Sequence, residues 1–230
     1  MPENMQNKDI RTFGFVLRRT NYGEADRILN IITPEGKISA IAKGVRKEKS
    51  KLAGGVEMFS LSEFNLHFGK SEFAVVTSAK MIKYYGNIVK DFSRLELAGM
   101  ILKKTSLASE SSDNEEYYDI VKQCLEGIDA GYSNEVVESW FLINLAKVMG
   151  EEINLYRNER GEKLSSEKKY NYDVYERAMI ESINGEFGAY EIKFLRLIVS
   201  SSLMMVVRVK DIEMTLPKIL RLARTISGAV

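Results

Sequence analysis

The chain has 230 residues, 33 Lys+Arg against 32 Asp+Glu (net charge +1), 45% hydrophobic and 28% charged residues, a globular composition that excludes a disordered or fibrous chain. A single Cys (Cys124) and a single His (His67) exclude an internal disulfide framework and zinc sites made of four cysteines, of paired cysteines and histidines, or of three histidines. No apolar stretch approaches the roughly 18 residues of a membrane span, and the polar start Met1 to Asp9 has neither a signal-peptide h-region nor an Arg-rich amphipathic pattern, so the expected compartment is the cytoplasm.

Up to about residue 85 the apolar residues alternate with period two between turn signals, which predicts strands. Phe13, Phe15 and Leu17 are placed on one face of a first strand. Ile28 to Thr33 and Lys37 to Val45 are the next two, joined by the turn Thr33-Pro34-Glu35-Gly36. After a loop at Arg46 to Gly55, the run Val56 to Phe68 changes phase between Leu61 and Phe64, which predicts a bulge or sharp bend. Phe68-Gly69-Lys70-Ser71 turns into a last strand, Glu72 to Ile82. Five strands in so short a length predict a small closed barrel of the OB type.

From about residue 90 the period becomes helical. Ser93-x-x-Glu96 and Asp113-x-x-Glu116 read as capping boxes. Helices are predicted at Tyr117 to Gly131, Asn134 to Met149, Tyr172 to Ile183, Ala189 to Arg208 and Leu216 to Ile226, the last capped by Thr215 with Pro217 in its first turn. Glu151 to Asn171 is predicted as loop. The expected fold is therefore α+β in two parts: a barrel over residues 1–85 and an all-helical domain over residues 86–230.

Charge is uneven. Residues 1–90 hold 15 basic and 9 acidic residues, whereas 91–230 hold 18 and 23. Within Lys37 to Lys51, six basic residues (Lys37, Lys43, Arg46, Lys47, Lys49, Lys51) stand against Glu48 alone. Such a stretch, with Gly44, Gly54 and Gly55 interspersed, suits a surface that tracks phosphates without reading bases; the competing reading is a solvated face. Phe13, Phe15, Tyr22, Phe59, Phe64, Phe68 and Phe73 are aromatics of this half, and alternation leaves open which are exposed.

No catalytic constellation emerges, and an enzyme is not expected. Gly69-Lys70-Ser71 lacks the earlier Gly and the following helix of a phosphate-binding loop. His67 is placed on the solvent side of a strand with no nucleophile beside it, and Cys124 in the apolar stripe of a helix. The nine carboxylates from Glu110 to Glu138 lack calcium-loop spacing and read as a solvated helix face. Met204 and Met205 read as core. No cofactor, metal or small-molecule substrate is expected.

Four ordered segments carry a resemblance: Phe15-Val16-Leu17-Arg18, Tyr22-Gly23-Glu24-Ala25-Asp26-Arg27-Ile28-Leu29, Thr33-Pro34-Glu35-Gly36-Lys37, and Ala42-Lys43-Gly44-Val45-Arg46 with Lys49-Ser50. They resemble the N-terminal OB-fold of the bacterial RecO recombination mediators, and the helical half is similar in outline through Trp140 to Gly150 and Tyr190 to Ser200. The resemblance implies a nucleoid-associated DNA-repair factor that binds single- and double-stranded DNA and anneals complementary strands. It also implies contact with the C-terminal tail of single-stranded-DNA-binding protein and, with RecR, loading of RecA. Many members carry a four-cysteine zinc module where this chain has residues 151–185. No Cys occurs there, so zinc is not expected. Carried over, the DNA-contacting positions are Lys43, Arg46, Lys47, Lys49 and Lys51, with Arg27 and Lys37. Lys193, Arg196, Lys218, Arg221 and Arg224 are candidates for the cationic rim of a partner-binding surface. From the residues alone, an RNA-binding or protein-interaction OB module remains the alternative.

Overall fold

The computed structural model describes residues 8–110 and 114–228. Strands β1 (Lys8–Tyr22), β2 (Asp26–Thr33), β3 (Gly36–Ala42), β4 (Ser60–Phe68) and β5 (Ala74–Tyr84) close into a barrel in the order β1-β2-β3-β5-β4. Neighbours are antiparallel except the short parallel pair β3–β5, Ala40 beside Ala74 and Ile41 beside Val75. This is the five-stranded OB arrangement. The β2–β3 turn falls at the predicted place: Thr33 Oγ1 donates to Gly36 O (2.8 Å) and accepts from Glu35 N (3.2 Å), and Gly36 has φ +109°, a conformation that favours glycine.

Two strand faces differ from expectation. Phe13, Phe15 and Leu17 do not share a buried face: Phe13 is exposed, while Val16, opposite Ile31, points into the barrel core with Leu29, Phe64 and Leu66. Phe15, on the outer face, is buried because it packs on Tyr85 and Tyr118, with ring centroids 6.3 and 5.5 Å away. The β1–β2 register also shifts between Val16 and Arg18, so parity counted across this bulge fails. In β4, Ser60, Ser62, Phe64, Leu66 and Phe68 are buried without a phase change. Phe59 lies just before the strand, at φ +57°; two small serines hold the interior positions where sequence reasoning sought hydrophobes. The irregularities sit in the β4–β5 pairing, at Leu61/Ser62 and Asn65/Leu66. A 3₁₀ turn, Ala53–Val56, packs against the sheet, and a Cβ at Gly55 would collide with the backbone of Ala79.

The chain divides into two compact units, Met1–Asp129 and Ala130–Val230. The boundary expected at residue 85 is thus not where contacts thin out. Helices α1 (Phe92–Ala108) and α2 (Glu116–Ala130) go with the barrel, since Tyr118 of α2 covers Phe15 and Lys37 of β3 reaches Glu110 (3.9 Å). The cap of α1 is Asp91, not Ser93: its Oδ1 accepts from Arg94 N (3.0 Å) and from Ser93 Oγ (2.7 Å). These bonds, the Ser93 hydroxyl first, hold its carboxyl below the usual range. Asn114 Oδ1 accepts from Glu116 N (2.9 Å) at the start of α2; Asp113 lies outside the described residues.

The second unit contains α3 (Asn134–Val148), a two-stranded hairpin of β6 (Tyr170–Asp173) and β7 (Ala178–Glu181), α4 (Ala189–Ser200), the single turn α5 (Leu203–Val206) and α6 (Leu216–Ile226). The helix expected at Tyr172 to Ile183 is therefore a β-hairpin. Asp173 Oδ1 accepts from Tyr175 N and Glu176 N (2.8 and 2.9 Å), and Arg177 has φ +50°; that turn chemistry outweighs the helical propensity of Glu176 to Met179. Tyr170 and Met179 are buried in the hairpin, beside Phe187. With neither Cys nor His among residues 151–188, the segment offers no donor set for zinc.

The single helix expected at Ala189 to Arg208 breaks at Ser201. There the last carbonyls of α4, which have no intrahelical partner, accept from α3: Asn144 Nδ2 reaches Ile198 O (3.2 Å), Lys147 Nζ reaches Val199 O (3.1 Å) and Trp140 Nε1 reaches Ser201 O (3.0 Å). Met204 and Met205, expected in the core, are exposed on α5. No helix among the described residues is long and apolar enough to cross a membrane.

Candidate nucleic-acid interface

The basic stretch forms the loop that leaves β3 at Lys43. Gly44, at φ +64°, turns the chain, and its N–H donates to Asp26 Oδ1 (2.6 Å). Arg46 N donates to Ala25 O (2.9 Å), and the Arg46 guanidinium reaches Gly23 O (3.4 Å). Successive turns, Lys47 N to Gly44 O and Ser50 N to Lys47 O (3.1 and 3.0 Å), carry the loop toward Leu52. The loop is thus bolted by its backbone to the β1–β2 hairpin, and its cations are left outward. Lys43, Arg46, Lys47, Lys49 and Lys51 are all exposed, and none has an ion pair among the described residues. An unpaired surface cation keeps its full charge for a ligand, with no carboxylate to displace.

The two further candidates are placed differently. Arg27 is half-buried at the start of β2, where its Nε donates to Asn21 Oδ1 (3.3 Å). Lys37 is only 14% exposed and lies 3.9 Å from Glu110, away from the loop, so the structure does not bring it into the cluster.

Strand pairing defines the face beside the loop. Leu29 and Ala42 point into the barrel, so their alternates point out. The outward rows are Arg18–Asn30–Ser39, then Thr20–Ile28–Ile41–Val75, then Tyr22 opposite Asp26, with Lys43 next on β3. Sequence reasoning missed Arg18 and the half-buried Ile28, Ile41 and Val75 in this role. The signal was present as the shared parity of residues 18, 20 and 22, hidden by the bulge before Arg18.

The remaining sequence candidates fall into place by geometry. Gly69-Lys70-Ser71 lies between β4 and β5 with no helix following. His67 is half-exposed, its Nδ1 2.7 Å from Asp9 Oδ1. The two flank a shallow depression of about 560 Å³ with Ile10, Arg11, Asn65 and Thr77; the Thr77 hydroxyl donates to Asn65 O (3.0 Å). Cys124 is fully buried in α2, and burial pushes its thiol pKa upward. No group of three or more His, Cys, Asp or Glu among the described residues is arranged to hold a metal ion.

In the second unit most candidate rim cations are already engaged. Arg196 stacks on Tyr156 (4.6 Å from cation to centroid) and donates through Nε and Nη2 to Leu155 O (3.0 and 2.7 Å). Arg224 grips Glu138 with two bonds (2.7 and 2.9 Å). Lys218 donates to Glu191 (3.0 Å), and Arg221 to Glu186 (2.6 Å) at the edge of a cleft of about 330 Å³ that Tyr172, Phe187 and Leu222 also line. Lys193 is exposed and forms no ion pair among the described residues.

Barrel order, backbone-anchored cationic loop and outward apolar row define an OB-fold protein with a helical region after the barrel. Residues 5–85 match the family model described as Recombination protein O N terminal. The match covers the barrel, the part of the chain in which the four motifs lie. Curated relatives agree. The DNA repair protein RecO of Dehalococcoides mccartyi is 37% identical over 147 residues, 62% of this chain and 56% of that protein. That of Alkaliphilus metalliredigens is 42% identical over 119 residues, 50% and 48% of the two chains. That of Roseiflexus sp. is 28% identical over 153 residues, 66% and 54%. The matched region spans about half the length of these relatives.

Proposed function

We propose that this protein is a DNA-repair and recombination mediator. It binds single- and double-stranded DNA without sequence specificity, anneals complementary strands and, together with RecR, helps load RecA onto strands covered by single-stranded-DNA-binding protein. The observation that carries the reading is the loop of five exposed, ion-pair-free cations fixed by backbone hydrogen bonds to the barrel. Phosphate charge supplies the affinity of such a surface, and contacts to phosphates carry no sequence information of their own. The match of the barrel to the Recombination protein O N terminal model and the names of the similar proteins support the repair context.

Protein partners fall to the second unit in this reading. Arg221 and Lys193 are its most available cations, because a half-exposed pair such as Arg221–Glu186 costs about 0–1 kcal/mol to exchange. Arg196 and Arg224 are held more firmly, by Leu155 O and Tyr156 and by Glu138. The acidic tail of single-stranded-DNA-binding protein is the proposed ligand there.

The test is strand annealing. Two complementary labelled oligonucleotides, each at a concentration where spontaneous pairing is slow, are mixed with wild type or with Lys43→Glu, Arg46→Glu and Lys47→Glu combined. Wild type accelerates pairing and the triple variant does not, with circular dichroism showing both folded. Equal acceleration by both proteins removes the loop from the function. Preferential competition by RNA over DNA favours the alternative of an RNA-binding module.

A further inference from the structure

The proposed site lacks an assigned contact for the nucleobases, and the geometry points to Tyr22: we infer that its ring is the stacking platform for an unpaired base on a strand whose phosphates lie along Lys43 to Lys51. This rests on the DNA-binding reading above and adds the base-contacting residue to it.

Three observations place Tyr22 there. It ends β1 opposite Asp26, on the outward row neighbouring Lys43, and it is 53% exposed, a large aromatic ring left in water at a hairpin tip. Its surroundings are the basic loop itself: Gly23 O, the next carbonyl along the chain, receives the Arg46 guanidinium, and Asp26 receives Gly44 N–H. The ring and the cations therefore ride on one rigid end of the barrel. Finally, Ile28 and Ile41 continue the outward face inward from Tyr22. They form an apolar floor, fit for the flat faces of bases beyond the first.

The other exposed aromatics of this unit lack such a setting. Phe13 is paired opposite Glu63, and Arg11 beside it is already held by that carboxylate (2.6 Å), so Phe13 lies away from the loop of cations that carry no ion pair. Tyr84 is at the far end of β5, paired with Ser60. Phe92, 74% exposed, is the first residue of α1 and lies outside the barrel strands and the basic loop, and Phe59, Phe73, Phe64 and Phe68 are buried or half-buried.

A stacked ring discriminates between ligands in a way that cations do not. It requires a base that is not already stacked inside a duplex, and it tolerates any base because every base has a π-face. Stacking of one base is worth about 1–3 kcal/mol by alanine substitution, or roughly 5- to 150-fold in affinity.

The experiment measures binding of the full chain to a fluorescein-labelled twelve-residue oligothymidylate, to an abasic strand of the same length and to a twelve-base-pair duplex, for wild type, Tyr22→Ala and Tyr22→Phe. Tyr22→Ala is expected to weaken the oligothymidylate at least fivefold and to leave the abasic strand, the duplex and all salt slopes unchanged. Tyr22→Phe is expected to keep wild-type affinity. Equal weakening of all three ligands by Tyr22→Ala, or of none, overturns the assignment, as does loss of affinity in Tyr22→Phe. The charge-reversal variant at Lys43, Arg46 and Lys47 separates the two levels. If it binds every ligand like wild type, the DNA site on the barrel fails; if it loses binding while Tyr22→Ala is silent, only the stacking assignment fails.

Discussion

The number of phosphates that the basic loop engages is readable from the salt dependence of binding. Five cations, Lys43, Arg46, Lys47, Lys49 and Lys51, stand exposed and without ion pairs on one loop. Each phosphate neutralised on a single strand contributes about 0.7 to the slope of log affinity against log salt, so the wild type should show a slope near −3.5. Between 50 and 200 mM salt that corresponds to a loss of affinity of about 100-fold. Reversing Lys43, Arg46 and Lys47 together leaves two contacts and a slope near −1.4, with weak binding throughout. Lys37 supplies the internal control: it belongs to the same sequence run, but its side chain is 14% exposed and its Nζ lies 3.9 Å from Glu110. Lys37→Gln should therefore leave the slope within error of wild type. Fluorescence anisotropy of a labelled single strand over a salt series reads these three slopes and that of Lys47→Gln. A Lys37→Gln slope reduced by as much as that of Lys47→Gln would refute the argument that burial and pairing decide which cations meet phosphates. A wild-type slope near zero would refute the electrostatic interface altogether.

Three further outcomes test the fold around the site. Asn144→Ala removes the donor shared by Trp140 O and Ile198 O (2.9 and 3.2 Å) and should destabilise the protein by about 1–3 kcal/mol, seen as a lower urea midpoint with unchanged slope; an unaltered midpoint shows that water or Lys147 replaces the bond. Burial opposes ionisation of Glu191, but the hydrogen bonds from Lys218 and from the Gly188 N–H outweigh it and hold the carboxyl below its ordinary range. A depressed folded value stabilises the protein above the unfolded pKa of about 4.3 and loses that stabilisation as pH falls through the folded value. The stability gap between wild type and Glu191→Gln should then be constant above about pH 5 and shrink below about pH 4, and a gap that persists to pH 2 contradicts the assignment. Cys124, fully buried with its thiol pKa raised, should react with a disulfide reagent only after denaturant is added; prompt labelling of the native protein would place it outside the core.

The barrel strands and the basic loop were legible in the sequence because they depend on local signals. Thr33 to Gly36 has the turn chemistry, Ile28 to Thr33 and Lys37 to Val45 have the alternation, and the run of cations is visible as composition. What escaped depends on partners distant in the chain. The bulge after Val16 is set by pairing with β2 and shifts the register between Val16 and Arg18, so counting by two from Phe13 and Phe15 does not carry across it to Leu17 and Arg18. The break after Ser200 exists because Trp140, Asn144 and Lys147 supply the donors that end α4, and nothing near Ser201 in sequence announces them. Lys37 and Arg224 carried the same formal signal as Lys43, yet their carboxylate partners, Glu110 and Glu138, lie 73 and 86 positions away.

The loop poses a structural problem of its own, since five like charges repel one another and resist being held together. Ion pairs would hold them, but each would then have to be broken before a phosphate could bind. The structure uses the backbone instead, with Asp26 accepting from Gly44 N and Ala25 O from Arg46 N. Asp26 thus has two opposing electrostatic roles, as an anchor for the loop and as a negative charge beside the proposed DNA path. Asp26→Asn keeps an acceptor oxygen for Gly44 N–H while removing the charge, so it should bind DNA as tightly as wild type or more tightly. Asp26→Ala removes the charge and the anchor together. Fixing a loop residue costs about 1–2 kcal/mol of conformational entropy, so freeing one turn of this loop should weaken binding by about fivefold or more relative to Asp26→Asn. If Asp26→Ala and Asp26→Asn tighten binding equally, the carboxylate acts only as a repulsive charge, and backbone anchoring is not what presents these cations.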